Sequence, residues 1–109
     1  STQIFSMKLL TEHLKKKIPA IYSQDGMGSN STVYAKFFCP WNSWTWYVTE
    51  YDPERNECFG YVDGDYPEWG YFSVTELEGV KNKFIPHLGI ERDISFEPIK
   101  ARDIEGVKI

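Results

Sequence analysis

Ser43-Trp44-Thr45-Trp46-Tyr47-Val48-Thr49-Glu50-Tyr51 is the stretch on which the fold turns. It is built almost wholly of aromatic and β-branched residues, the types that fit a pleated, half-buried surface. Period-two alternation sends Trp44, Trp46 and Val48 to one face of a strand, and Thr45, Tyr47 and Thr49 to the other. Similar runs flank it. Thr32–Cys39, Cys58–Asp63 and Trp69–Ser73 carry the same composition, and they read as strands. The connections are Pro40-Trp41-Asn42, Asp52 to Asn56, and Gly64-Asp65-Tyr66-Pro67. Links this short imply hairpins, hence an antiparallel meander.

Outward from the sheet the pattern changes. Ser73-Val74-Thr75-Glu76 is a capping box, which predicts a helix over 74–79. Thr11 to Ile18 predicts another. Thr11 caps it, Glu12 suits its positive end, Lys15, Lys16 and Lys17 suit its negative end, and Pro19 stops it. Leu10, Leu14, Ile18 and Ile21 form its apolar side. Ser23 to Thr32, with Gly26, Gly28 and Asn30, reads as a flexible loop. Ile94 to Phe96 alternates like one more strand, and the tail from Lys100 reads as a helical turn. The order is α-β-β-β-β-α-β. The predicted class is therefore α+β: an antiparallel meander of four or more strands, with two short helices packed on one face. Residues 7–109 form a single domain in this reading. Residues 1–6 are expected to be a tag remnant or disordered, with Met7 as the natural start.

Size and charge bound what such a domain does. A chain of 109 residues supports one hydrophobic core, and no apolar run approaches the length of a membrane span. Twelve basic against 16 acidic residues give a net charge of −4, which disfavours binding to duplex nucleic acid. The lysines at 15–17 read as a solvated helix end, because no arginine or aromatic residue interleaves them. Cys39 and Cys58 lack metal or redox spacing and sit in apolar strands; they read as reduced core thiols of a cytoplasmic protein.

No motif for catalysis emerges. His13 and His87 have no second ligand at metal spacing. Asp63-Gly64-Asp65 is a fragment of a calcium loop, better explained as a turn. Gly26-Met27-Gly28-Ser29 lacks the third glycine and the lysine of a phosphate loop. The sequence has no nucleophile elbow, and spacing selects no carboxylate pair. The expectation is a non-enzyme without cofactor or metal.

The informative features are aromatic and acidic. Fourteen of the 18 aromatic residues lie between Tyr34 and Phe72, more than two short helices can cover. Between Glu50 and Glu68 lie seven acidic residues and the single base Arg55. The plain alternative is a core built from rings in place of aliphatics, with solvated acidic turns. The functional reading is an exposed, acid-rimmed recognition surface. Its expected members are Trp41, Trp44, Trp46, Tyr47, Tyr61, Trp69 and Tyr71, with Glu50, Asp63 and Asp65. Tyr and Trp dominate binding hot spots, and the carboxylates suit a basic protein partner while repelling phosphate.

Several stretches carry a resemblance: Met7-Lys8-Leu9-Leu10-Thr11; Lys36-Phe37-Phe38-x-Pro40-Trp41-x-x-Trp44-Thr45-Trp46-Tyr47-x-Thr49-Glu50; Phe59-Gly60; Gly70-Tyr71-Phe72-Ser73-x-x-Glu76-Leu77; and Leu88-Gly89-Ile90-Glu91-Arg92-Asp93. Together they resemble a family of small proteins of unknown function from bacteria, their phages and plasmids. The likeness runs from Met7 to about Pro98. It implies an intracellular protein often carried on mobile elements, and it brings no catalytic residue with it. The expected function is a cytoplasmic accessory protein that binds a host or defence protein. The alternatives are a small-molecule or nucleotide binder with an aromatic pocket, and a carboxylate-dependent enzyme. A concave pocket holding two or more Trp or Tyr favours the second of these three, and a buried carboxylate pair favours the third.

Overall fold

A computed structural model describes residues 8–107 of the chain. The stretch 1–6, expected to be a tag remnant or disordered, and the start at Met7 lie outside the described residues. The deciding stretch becomes the central strand, β3, of a five-stranded antiparallel sheet. The strands are β1 (Thr32–Val33), β2 (Ala35–Phe38), β3 (Thr45–Asp52), β4 (Glu57–Asp63), β5 (Glu68–Ser73), β6 (Glu91–Arg92) and β7 (Ile99–Lys100). The large sheet has the order β5-β4-β3-β2-β6, and β1 and β7 pair separately. The antiparallel meander of β2 to β5, closed by short turns, is as the sequence predicts.

The helices also fall where expected. Helix α1 spans Glu12–Lys17, and the Thr11 side chain accepts from the Leu14 N–H. Helix α2 spans Val74–Glu78, with Ser73 accepting from the Glu76 N–H. Both rest on the same face of the sheet. Val74 and Leu77 of α2 join Phe37, Trp46, Val48, Cys58 and Phe72 in the larger core, and Leu14 of α1 packs against it. Trp44 and Trp46 lie on this face with their rings 5.9 Å apart, and Trp44 covers Gly64, where a Cβ would stand 2.5 Å from the indole.

Three expectations change. Thr32–Cys39 is two strands: Thr32 and Val33 leave the main sheet to pair with Lys100 and Ile99. Ile94–Phe96 is not a strand; the pairing segment is Glu91–Arg92, opposite Phe38 and Phe37. An Asp93 turn follows it, whose carboxylate accepts from the Ser95 N–H at 3.0 Å. Most consequentially, the second face of the sheet is not left open. The β1–β7 pair and the 3₁₀ turn at Ala101–Asp103 cover part of it. Val33 and Ala101 there enclose Tyr47 and Tyr61 in a second core, joined by Trp69, Phe96 and Ile104. Fourteen aromatic residues need two layers of cover, and the C-terminal segment supplies the second.

Both cysteines are free and buried. The packing also holds several groups neutral. Burial, then the charge of Asp63, pushes the phenols of Tyr47 and Tyr61 above the ordinary 10.0. Burial also raises Tyr51, followed by the neighbouring Cys58 and acidic groups, and its hydroxyl donates to Asn56 Oδ1 at 2.6 Å. The Cys58 thiol is pushed well above its ordinary 9.0, chiefly by burial. In the unfolded chain these groups ionise at their ordinary values, so alkali lowers the free energy of the unfolded state first. Their stabilisation is complete below the unfolded values and is lost as pH climbs from there through the raised folded ones. The melting temperature should therefore hold from neutrality to about pH 9 and fall steeply above about pH 10. Tyrosinate absorbance for these three rings should appear only with unfolding; full phenol ionisation in the folded protein would contradict the burial.

Candidate functional site

The site begins with an irregularity in β3. Across β3 and β4, Tyr47 faces Tyr61 and Val48 faces Gly60, but the next pair is Glu50 with Phe59. Thr49 is the extra residue of a β-bulge, and its hydroxyl donates to the Phe59 carbonyl at 2.9 Å. A bulge inverts the alternation beyond it. Strict alternation would place Glu50 with Trp46 and Val48 in the helix-covered core, and Tyr51 on the opposite face. Instead Tyr51 enters the core beside Cys58, and Glu50 turns to the second face. The partner strand makes room with Gly60, where an added Cβ would fall 1.8 Å from the Tyr47 carbonyl oxygen.

On this face the rings form a ladder across three strands. Tyr47 packs on Tyr61 at 6.3 Å, and Tyr61 on Trp69 at 5.5 Å. Trp69 stacks on Phe59 at 6.1 Å, and Phe59 meets Tyr71 at 5.0 Å and 64°. The inner rungs, Tyr47 and Tyr61, are covered by the C-terminal segment. The outer rungs face the loop that precedes β1.

Glu50 is only 3% exposed, and a carboxylate so deeply buried requires hydrogen-bond donors. The loop supplies them: Oε1 accepts from the Tyr22 N–H at 2.9 Å and Oε2 from the Gln24 N–H at 2.7 Å. The Gln24 side chain continues the junction. Its Nε2 donates to the carbonyls of Thr32 and Thr49, both at 2.9 Å, and its Oε1 accepts from the Thr32 N–H at 2.6 Å. Tyr22 takes a left-handed backbone conformation, φ 75°, at a cost of about 1–3 kcal/mol for a residue with a Cβ. The carboxylate contacts offset that strain. The stretch read as a flexible loop is thus a tied one, turning on itself through Asp25 N–H to Tyr22 and Met27 N–H to Gln24, each 3.1 Å. Gly26 and Gly28 give it its path, with φ of 80° and 52°.

Between loop and ladder lies a cavity of about 310 Å³. Tyr22, Phe59, Trp69 and Tyr71 contribute rings to its wall, and Glu50 contributes the buried carboxylate. Gly26 and Gly28, without side chains, keep the loop side open. Tyr22 and Tyr71 share a hydrogen bond at the rim, which is the first cause of a raised Tyr71 phenol, ahead of desolvation and the nearby charges of Glu50 and Glu57. The volume falls at the lower end of small-ligand sites. Among the described residues no three His, Cys, Asp or Glu side chains converge as a metal site requires.

Of the residues expected to form a recognition surface, the structure brings together Glu50, Trp69 and Tyr71. Trp46, Tyr47 and Tyr61 are buried at 8%, 7% and 4% exposure: Trp46 lies in the core under the helices, and the second layer of cover removes Tyr47 and Tyr61 from any binding surface. Trp44 is on the helix-covered face. Trp41 is exposed in the β2–β3 turn, and Asp63 and Asp65 close the far end of β4, beyond the Tyr47–Tyr61 rung from Glu50. Tyr22, Gln24 and Phe59 belong to the site although the sequence reading passed over them. One signal pointed there: an acidic residue in phase with Trp46 and Val48, opposite a strand containing Gly60, marks a bulge.

No curated protein and no solved structure matches the chain. A family model described as protein of unknown function (DUF2958) matches residues 9–102, a span that takes in the sheet, the tied loop and every ring of the pocket. The chain belongs to this family of proteins of unknown function.

Proposed function

We propose that this domain is a binding protein that takes a small ligand in the pocket between the Tyr22–Gly28 loop and the β4–β5 rings. The observation that carries the reading is the concavity itself. Aromatic walls with one buried, oriented carboxylate are the composition of a ligand site. Binding is favoured over catalysis because Glu50 is the one buried carboxylate among the described residues, and both its oxygens already hold the loop. The expected setting is an accessory protein of a phage or other mobile element, acting in the cytoplasm. No helix among the described residues is long and apolar enough to cross a membrane, in keeping with that setting. A second reading, occupation of a basic host or defence protein, draws support from Tyr71, which is 50% exposed on edge strand β5. An edge strand can also receive a strand from a partner.

A fragment screen by protein-observed NMR tests the pocket. Binding fragments should shift the Trp69 indole N–H and the amides of Tyr22 and Gln24 together. Tyr71→Ala should weaken the best fragment by about 2 kcal/mol and leave the melting temperature nearly unchanged, because Tyr71 is half exposed. Fragments that map only outside the pocket, or none that bind, would refute this reading.

A further inference from the structure

The charge and ring composition of the pocket narrow its ligand. Two carboxylates line it, the buried one of Glu50 and the exposed one of Asp25, and no Lys, Arg or His is among the described residues lining it. Arg55 lines the neighbouring hollow, which shares Tyr22 and Tyr71 with the pocket, and it lies 3.9 Å from Asp52. An anionic ligand, a nucleotide included, would meet two carboxylates with no basic side chain in the lining to offset them. A cation meets the reverse. Its charge is drawn to the carboxylates, and the electron-rich faces of Trp and Tyr attract an ammonium group that water solvates poorly.

The geometry suits a cation with an apolar coat. Phe59 and Tyr71 stand at 64° to one another, so their planes form a corner, and Tyr22 closes it from the loop. Both oxygens of Glu50 already accept backbone N–H groups. Its remaining contribution is chiefly charge at short range, which a fully alkylated ammonium can use without donating a hydrogen bond. The raised Tyr71 phenol, shifted first by its hydrogen bond with Tyr22 and further by Glu50 and Glu57, marks a negative potential at the same mouth.

We propose that the pocket binds an organic cation, an alkylammonium head whose methyl groups lie against the rings of Trp69, Tyr71 and Tyr22, with Glu50 and Asp25 as countercharge. The proposal rests on the pocket being a ligand site and adds the class of ligand.

The test is calorimetric titration of the full chain with tetramethylammonium, with choline, and with the uncharged isostere of choline in which a tert-butyl group replaces the trimethylammonium. Ionic strength is matched throughout. Choline should bind about tenfold more tightly than its isostere, the discrimination expected of charge on aromatic faces. Asp25→Asn, a change at an exposed residue that leaves the fold intact, should weaken choline but not the isostere. Tyr71→Leu should weaken both cations. Equal or tighter binding of the isostere would overturn the cation assignment while leaving a ligand pocket. Fragments that bind the pocket while neither cation does would overturn it in the same way. If neither cations nor fragments bind, the pocket reading falls along with it.

Discussion

Replacing Glu50 with Ala should lower the free energy of unfolding by about 3 kcal/mol, because it strands two backbone donors in a half-buried junction. The Tyr22 and Gln24 amides lose their acceptors, and Tyr22 keeps a left-handed conformation with nothing to hold it. Glu50→Gln should cost about half as much, since an amide accepts through one oxygen where two donors converge. The effect should be local in origin but global in readout. Gln24 also ties β1 to the bulge, so a loosened loop weakens the β1–β7 cover over Tyr47 and Tyr61. Denaturant unfolding of the two variants checks the order. A loss below about 0.5 kcal/mol for Glu50→Ala, the range of ordinary surface changes, would mean that the carboxylate does not hold the loop.

Gly60→Ala should be more damaging still, by about 4 kcal/mol or more, in the range reserved for changes the backbone cannot absorb. The added Cβ would fall 1.8 Å from the Tyr47 carbonyl oxygen and 3.3 Å from the Thr49 backbone nitrogen. Both are main-chain atoms of the bulge, held by pairing on either side, so no side-chain rotation relieves the clash. Gly70 provides the control. It pairs directly with Gly60 across β4 and β5, yet a Cβ there meets nothing within 4 Å. Gly70→Ala should leave stability within about 0.5 kcal/mol of wild type. Equal effects of the two substitutions would show that the bulge does not require glycine opposite it.

The two substitutions mark how far the sequence could be read. The meander, both helices and their caps were legible because each follows from local chemistry: alternation in Trp44 to Val48, short turns, Thr11 and Ser73 at N-caps. The pocket was only partly legible, because it depends on two non-local features. Alternation is reliable until a bulge inverts it, and the inversion at Thr49 decides that Glu50 faces the pocket rather than the helix-covered core. The cover over Tyr47 and Tyr61 comes from β7, far along the chain from β1, and two-residue strands carry no periodicity to detect. For the same reason the expected exposed surface mixed residues of both faces: Trp44 and Trp46 lie under the helices, and Tyr47 and Tyr61 lie under a C-terminal layer that local patterning does not reveal. The glycines of the loop were visible, but their use was not, since a glycine-rich segment looks alike whether free or tied by a carboxylate from another strand.

The central claim is that the Thr49 bulge delivers the Glu50 carboxylate to the second face, where it holds the loop over the aromatic rings. Amide hydrogen exchange at Tyr22 and Gln24, followed residue by residue by NMR, tests this most directly. The account predicts that both amides exchange far more slowly than those of Gly26 and Gly28 in the same loop. It also predicts that Glu50→Ala releases these two while the β3–β4 amides keep their protection. Exchange at Tyr22 and Gln24 as fast as at the loop glycines in the wild-type protein, or unchanged on loss of Glu50, would contradict it.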